Sequence, residues 1–120
     1  MMNILVVDDS SAMRMMILRT IRQAGFDAND VEQAEDGAIA LEKIRNKMPD
    51  LVLADWNMPN MTGIELLEAL REEEINVDFG FITTESTTEM RKKATDAGAK
   101  FLIGKPFTVE SFEKVLNTVL

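Results

Sequence analysis

The chain contains no cysteine, which excludes disulfides, thiol redox chemistry and thiolate metal sites. It contains no histidine, which excludes imidazole ligands, imidazole general bases and a phosphohistidine on this chain. Positive charge is scarce: 13 Lys and Arg stand against 21 Asp and Glu, a formal net charge of −8, and the pI is near 4.5. That balance is wrong for nucleic acid, whose phosphates select a basic footprint, and for an anionic membrane surface. No apolar run is long enough to span a bilayer. The start MMNILVVDD lacks the basic and apolar stretches of a signal peptide. Together these absences predict a soluble cytoplasmic protein with neither nucleic-acid nor membrane partners. What is present is a globular composition. Apolar residues make up 46% of 120, enough for one cored domain over residues 1–120 and too short for a second of ordinary size.

Short apolar runs alternate with segments of helical period. Residues 3–8 (NILVVD) predict a strand by their β-branched content. Ser10 or Ser11 then offers an N-cap, and Met13, Met16, Ile17 and Ile21 fall on one helical face that Gly25 ends. A weak strand over 31–35 precedes a helix over 37–48 that carries Ile39, Leu41 and Ile44 and stops at Pro49. Residues 51–54 (LVLA) form the unbroken apolar run expected of a strand buried on both faces. Capping-box patterns at 62–65 (TGIE) and 86–89 (STTE) open helices reaching about Glu73 and Gly98. Strands are predicted over 79–83 and 101–103, and a last helix from Thr108 buries Phe112, Val115, Leu116 and Val119. Such strict alternation predicts an α/β three-layer sandwich, (βα)5, whose parallel sheet is covered by helices on both faces. With the last helix running to the final residue, no output domain is expected. The nine methionines read as flexible core filler, with a Met-rich binding face as the alternative. Glu72, Glu73 and Glu74 read as a solvated helix end, and Trp56 as a partly buried aromatic.

The chemistry-bearing residues stand at strand ends. Asp8 and Asp9 follow the first strand and Asp55 the third. In open parallel sheets, ligands bind outside the carboxyl ends of the strands at the switch in strand order. In the flavodoxin-like order 2-1-3-4-5, strands one and three are neighbours there, so three carboxylates converge. Like charges converge at a cost unless a cation neutralises them. One remedy is a hard divalent ion, and few carboxylates with backbone oxygens and waters suit Mg2+. Another is Lys105, after the fifth strand and followed by Pro106. Thr83, ending the fourth strand, adds a hydroxyl to the same rim. A carboxylate attacks phosphorus to give an acyl phosphate, and phosphoryl transfer asks mainly for positioning and charge stabilisation. The set around Asp55 supplies both. No GxxxxGK[ST] loop is present, so the phosphoryl group has to come from elsewhere. Each residue alone has a bland explanation as turn former, cap or solvated charge; the joint placement favours a site.

The segments ILVVDDSSAMR, AEDGAIAL, DLVLADWNMPNMTGIELLEALR, FITTES and AGAKFLIGKPFT together resemble a response-regulator receiver domain across essentially the whole chain, most of all the stand-alone chemotaxis regulators. The resemblance implies that Asp55 is the phosphoacceptor, loaded by a sensor histidine kinase. It implies that Asp8, Asp9 and Asp55, with the backbone carbonyl of Asn57, hold Mg2+ or a substituting Mn2+. Lys105 matches the family's lysine, the Lys105–Pro106 bond its cis peptide, and Thr83 its switch hydroxyl. Asn57 and Glu85 fall at the positions that tune dephosphorylation. The implied protein is not an enzyme beyond its own phosphoryl transfer and autodephosphorylation. Its implied partners are the kinase, an output protein such as the flagellar motor switch, and a phosphatase. It is expected to be a monomer that dimerises weakly on activation. One position departs: Leu102 stands where the family carries an aromatic switch residue, three before Lys105. Phe101 beside it points to the opposite face of the strand and does not replace it. Gly104 is also unusual and is expected to loosen the strand end.

Other readings stay open at this level. Leu102 favours a phosphate sink or phosphorelay intermediate, and a receiver excised from a longer regulator is a further alternative. An Asp-nucleophile phosphohydrolase is opposed by the lack of a cap domain and of a DxD spacing. An FMN binder is opposed by three acids that repel its phosphate.

Overall fold

Ten elements alternate along the chain in a computed structural model that describes residues 3–27, 30–85 and 87–119. In order they are β1 (Ile4–Val7), α1 (Ser11–Gln23), β2 (Val31–Ala34), α2 (Gly37–Asn46), β3 (Leu51–Ala54), α3 (Gly63–Glu72), β4 (Asp78–Thr83), α4 (Thr88–Asp96), β5 (Phe101–Gly104) and α5 (Val109–Val119). All five strands are parallel, in the order β2-β1-β3-β4-β5. The flavodoxin-like expectation holds.

The central strands explain themselves. Every residue of β1 and β3 is buried, so no side-chain alternation between apolar and polar survives in their sequence. Alternate residues serve two cores instead. Leu5, Val7, Val52, Ala54, Phe79 and Phe81 pack under α2, α3 and α4. Ile4, Val6, Leu51, Leu53, Ile82 and Ile103 pack against Ile17 and Ile21 of α1 and Phe112 and Leu116 of α5. Register sets the functional edge: Val7 lies opposite Ala54, so the residues that follow, Asp8 and Asp55, emerge side by side. Helix starts are capped by side chains that accept the orphan N–H groups. Ser10 serves Met13, Asp36 serves Ile39, and Thr62 and Glu65 form a reciprocal capping box.

Several expectations need correction. The α4 cap is Thr87, which accepts from the Met90 N–H; the 86–89 pattern begins at Ser86, which lies outside the described residues, as does Leu120. α2 ends at Asn46, ahead of the predicted 48. The methionines are core filler only in part: Met13 and Met61 pack against the two cores. Only Met58 of the described ones is buried, and Met15, Met16 and Met48 are 53%, 51% and 58% exposed. On α1 the inward stripe is Ile17, Leu18 and Ile21, and Met16 sits about 100° away from Ile17 around the helix. Ile39 on α2 is likewise exposed. Glu73 is paired: Arg45 of α2 donates two hydrogen bonds to its carboxylate. Gly104 does not end the strand early. It pairs with Thr83, whose carbonyl also accepts the Lys105 N–H at 2.8 Å. No described helix is long and apolar enough to cross a membrane.

Candidate functional site

Asp8 leaves β1 with its N–H bonded to the Ala34 carbonyl at 3.1 Å, and Asp55 leaves β3 with its N–H bonded to the Val7 carbonyl at 2.9 Å. Both backbones are therefore fixed by the sheet before their side chains turn outward. Asp8 is only 2% exposed. One of its carboxylate oxygens accepts the Ser10 N–H at 2.9 Å and the other the Lys105 ammonium at 3.2 Å. Asp55 accepts the Trp56 N–H at 2.7 Å on Oδ1 and the same ammonium at 3.2 Å on Oδ2. Asp9 is exposed beside them, and one oxygen from each of the three acids lies within 4.8 Å of the others. Lys105 is thus shared by two carboxylates across a nearly closed contact. The Lys105–Pro106 peptide is cis.

Formal charge shows what the pocket wants. Three carboxylates and one ammonium leave two negative charges unbalanced, and a divalent cation cancels them. The donors are all hard oxygens, the set that Mg2+ takes. The acids therefore fit the ion that the sequence implies. Burial raises the Asp55 pKa above its ordinary value; the Lys105 ammonium opposes that and the neighbouring Asp8 adds to it.

The remaining residues singled out by sequence lie around this contact. Thr83 is fully buried at the end of β4, and its hydroxyl accepts the Glu85 N–H at 3.2 Å. Asn57 is exposed in the loop after β3. Phe101 and Leu102 face opposite sides of β5: Phe101 joins the α1–α5 core and Leu102 packs against the other. The Phe101 ring fills the space over Gly80.

Sequence reasoning missed Gly63 and Arg14. A Cβ on Gly63 would stand 2.2 Å from the Asp55 carbonyl oxygen, so only glycine lets the N-terminus of α3 approach the site. Its N–H also binds the Trp56 carbonyl at 2.9 Å. Gly63→Ala is expected to destabilise the fold by about 3 kcal/mol, at the upper end of overpacking costs. Urea unfolding checks this, and an unchanged midpoint would show that α3 is free to shift. The capping-box pattern already placed Gly63 at the first helical position; its contact with Asp55 left no local mark. Arg14 donates to the Asp8 carbonyl at 2.6 Å and to the Gln33 side chain at 2.9 Å.

With this geometry in hand, similarity to known proteins is informative. A family profile described as the response regulator receiver domain matches residues 4–117. The chain is 38% identical over 120 residues to chemotaxis protein CheY-3 of Vibrio cholerae serotype O1, covering 98% of this chain and 91% of that protein. It is 37% identical over 124 residues to chemotaxis protein CheY of Pseudomonas aeruginosa, covering 98% of each. Among solved structures it is similar to Vibrio cholerae chemotaxis protein CheY4, with a TM-score of 0.87 at 36% identity over 100% of this chain and 99% of that one. The receiver domain of Francisella response regulator 1452 gives 0.88 at 28% identity, over 99% and 96%.

Proposed function

The chain belongs to the response-regulator receiver domain family, and on that premise we propose that Asp55 accepts a phosphoryl group from the phosphohistidine of a sensor kinase and that the modified domain switches its affinity for an output protein. It is a receiver of the CheY type, a signalling protein and not a conventional enzyme. The observation that carries the proposal is the Lys105 ammonium 3.2 Å from both Asp8 and Asp55, with Asp9 completing the acid cluster.

The Asp55 carboxylate attacks phosphorus. An oxygen–phosphorus bond forms as the donor's nitrogen–phosphorus bond breaks, and the departing imidazole takes up a proton. The Trp56 N–H on Oδ1 holds the carboxylate plane, so the attacking group is oriented in advance. Lys105 stays beside Asp55 and meets charge on the phosphoryl oxygens as transfer proceeds. Asp8, Asp9 and Asp55, with the Asn57 carbonyl, would hold Mg2+, whose charge neutralises the acids and the incoming phosphoryl oxygens. Autodephosphorylation reverses the gain when water attacks the acyl phosphate, with Asn57 and Glu85 at the rim to tune its access.

Switching follows from Thr83. Its hydroxyl is engaged by the Glu85 N–H; turning it to a phosphoryl oxygen frees that N–H and moves the start of the α4 loop. Only such differential contacts bias two states. Leu102 carries no ring to relay the change, so the readout runs through Thr83, Glu85 and α4. The names of the relatives support chemotaxis as the setting, with the flagellar switch as output and a phosphatase to end the signal. The chain spans 91% and 98% of the lengths of those relatives. The cytoplasm is the proposed location.

The test is intact mass after incubation with Mg2+ and acetyl phosphate, beside a sample in EDTA. The expected result is addition of a single phosphoryl group, lost in EDTA. No addition by a folded protein that binds Mg2+ would overturn the reading.

A further inference from the structure

We propose that Arg14 is a positioning residue for the acidic pair: by holding the peptide between Asp8 and Asp9 it sets the direction of Asp9 and so the metal affinity of the pocket. This rests on the function proposed above and adds a residue to it. Asp8 is fixed on all sides, through its N–H to Ala34, its carboxylate to Ser10 and Lys105, and its carbonyl to Arg14. Asp9 makes no hydrogen bond or ion pair with any other described residue. Its side chain is aimed only by the backbone it hangs from, and the carbonyl of that peptide plane is the one Arg14 grips at 2.6 Å. The guanidinium is in turn anchored on the neighbouring strand by Gln33 at 2.9 Å. A planar, multi-donor group spans both contacts; an ammonium makes one of them at a time.

The placement of Arg14 carries a cost that points the same way. It lies in the opening turn of α1, where the helix dipole disfavours a cation and where no acidic residue is present. Sequences break such local rules mostly at functional sites. Hydrogen-bond donors that orient metal-binding groups without touching the ion are worth a large factor in affinity.

The two roles open to Arg14 predict opposite signs. If it acts only as a nearby positive charge, Arg14→Ala removes repulsion from the pocket and Mg2+ binds more tightly. If it positions Asp9, the same change weakens Mg2+ binding, by about tenfold. Trp56 is the only tryptophan and follows Asp55 directly, its backbone N–H bonded to that carboxylate, so its fluorescence is the probe for Mg2+ titrations. Arg14→Ala should also raise the Mg2+ concentration for half-maximal phosphoryl uptake while leaving the rate at saturating Mg2+ close to that of the parent. Arg14→Lys keeps one donor for the Asp8 carbonyl and should restore affinity to within about threefold. Gln33→Ala cuts the tie to β2 but spares the carbonyl contact, so it controls for a general loosening, with urea midpoints measured on all three. Weak binding in Arg14→Ala, with Arg14→Lys and Gln33→Ala near the parent, supports the assignment. Equal or tighter binding in Arg14→Ala, or equally weak binding in Gln33→Ala, overturns it. A folded parent whose Trp56 signal and melting temperature ignore Mg2+ overturns the metal reading itself, and this inference with it.

Discussion

An Asp55→Asn chain is expected to take up no phosphoryl group and yet to melt at a higher temperature than the parent at neutral pH. The loss is chemical: the amide has no anionic oxygen to form an acyl phosphate. The gain is electrostatic. Burial, together with Asp8, raises the Asp55 pKa against the pull of Lys105. A carboxyl whose pKa is raised by folding binds its proton more tightly in the folded state. Its contribution to stability is then fully present below the unfolded value of 3.8 and is lost as pH rises through the folded value. At neutral pH the ionised group opposes folding, and asparagine removes that opposition while keeping the shape. Thermal melts in EDTA from neutral to acid pH should show the gap between variant and parent closing as pH falls. Mg2+ should raise the parent's melting temperature, because it binds the folded state alone, and should raise the variant's less. A variant less stable than the parent at neutral pH would show that Asp55 is already neutralised by its neighbours.

Lys105→Met should be as damaging as Asp55→Asn is benign to the fold. Methionine keeps the length of the stem and removes the charge. Side-chain exposure is 10% for Lys105, 2% for Asp8 and 14% for Asp55, so the two acids are left facing each other with little water to screen them. Breaking a buried pair by deleting one partner costs about 3 kcal/mol or more. The deficit should be largest at neutral pH without metal and should shrink in acid as the carboxylates protonate. Mg2+ should recover much of the stability, since it neutralises the same oxygens. It should not recover the rate: uptake from acetyl phosphate is expected to stay about a hundredfold or more below the parent, the usual loss when one stabiliser of transition-state charge is removed. Urea unfolding and mass-detected uptake, each with and without Mg2+, separate the two effects. Parent-like stability in EDTA would mean that Lys105 does not offset the acids.

The layout and the convergence of the three acids were legible for the same reason. A strand buried on both faces has to be an unbroken apolar run, so LVLA at 51–54 announced itself, and the acids that end such runs stand out against them. Helix starts were legible where a cap and its partner are local, as at Thr62 and Glu65. Contacts between residues far apart in sequence were not. Arg45 reaches Glu73 across 28 residues, and nothing near Glu73 distinguishes it from its solvated neighbours Glu72 and Glu74. Met16 was misread because helical period marks a face only to within about one residue: Met16 and Ile17 are both apolar, and packing alone decides that Ile17 goes inward. Arg14 was invisible as a positioning group because its target is a backbone carbonyl, which every residue type supplies.

Lys105 meets Asp8 across 97 residues of chain and Asp55 across 50. Contacts of such separation bear the largest loop-closure entropy and form late. During synthesis the acids emerge first and can settle at the ends of β1 and β3 while the sheet is still short of β5. A chain that stops before residue 105 has the three acids but neither the ammonium that faces them nor Phe112 and Leu116 of the core beneath β1 and β3. On the function proposed above, competence to receive a phosphoryl group therefore waits for the last strand, because the ammonium that faces Asp8 and Asp55 follows it.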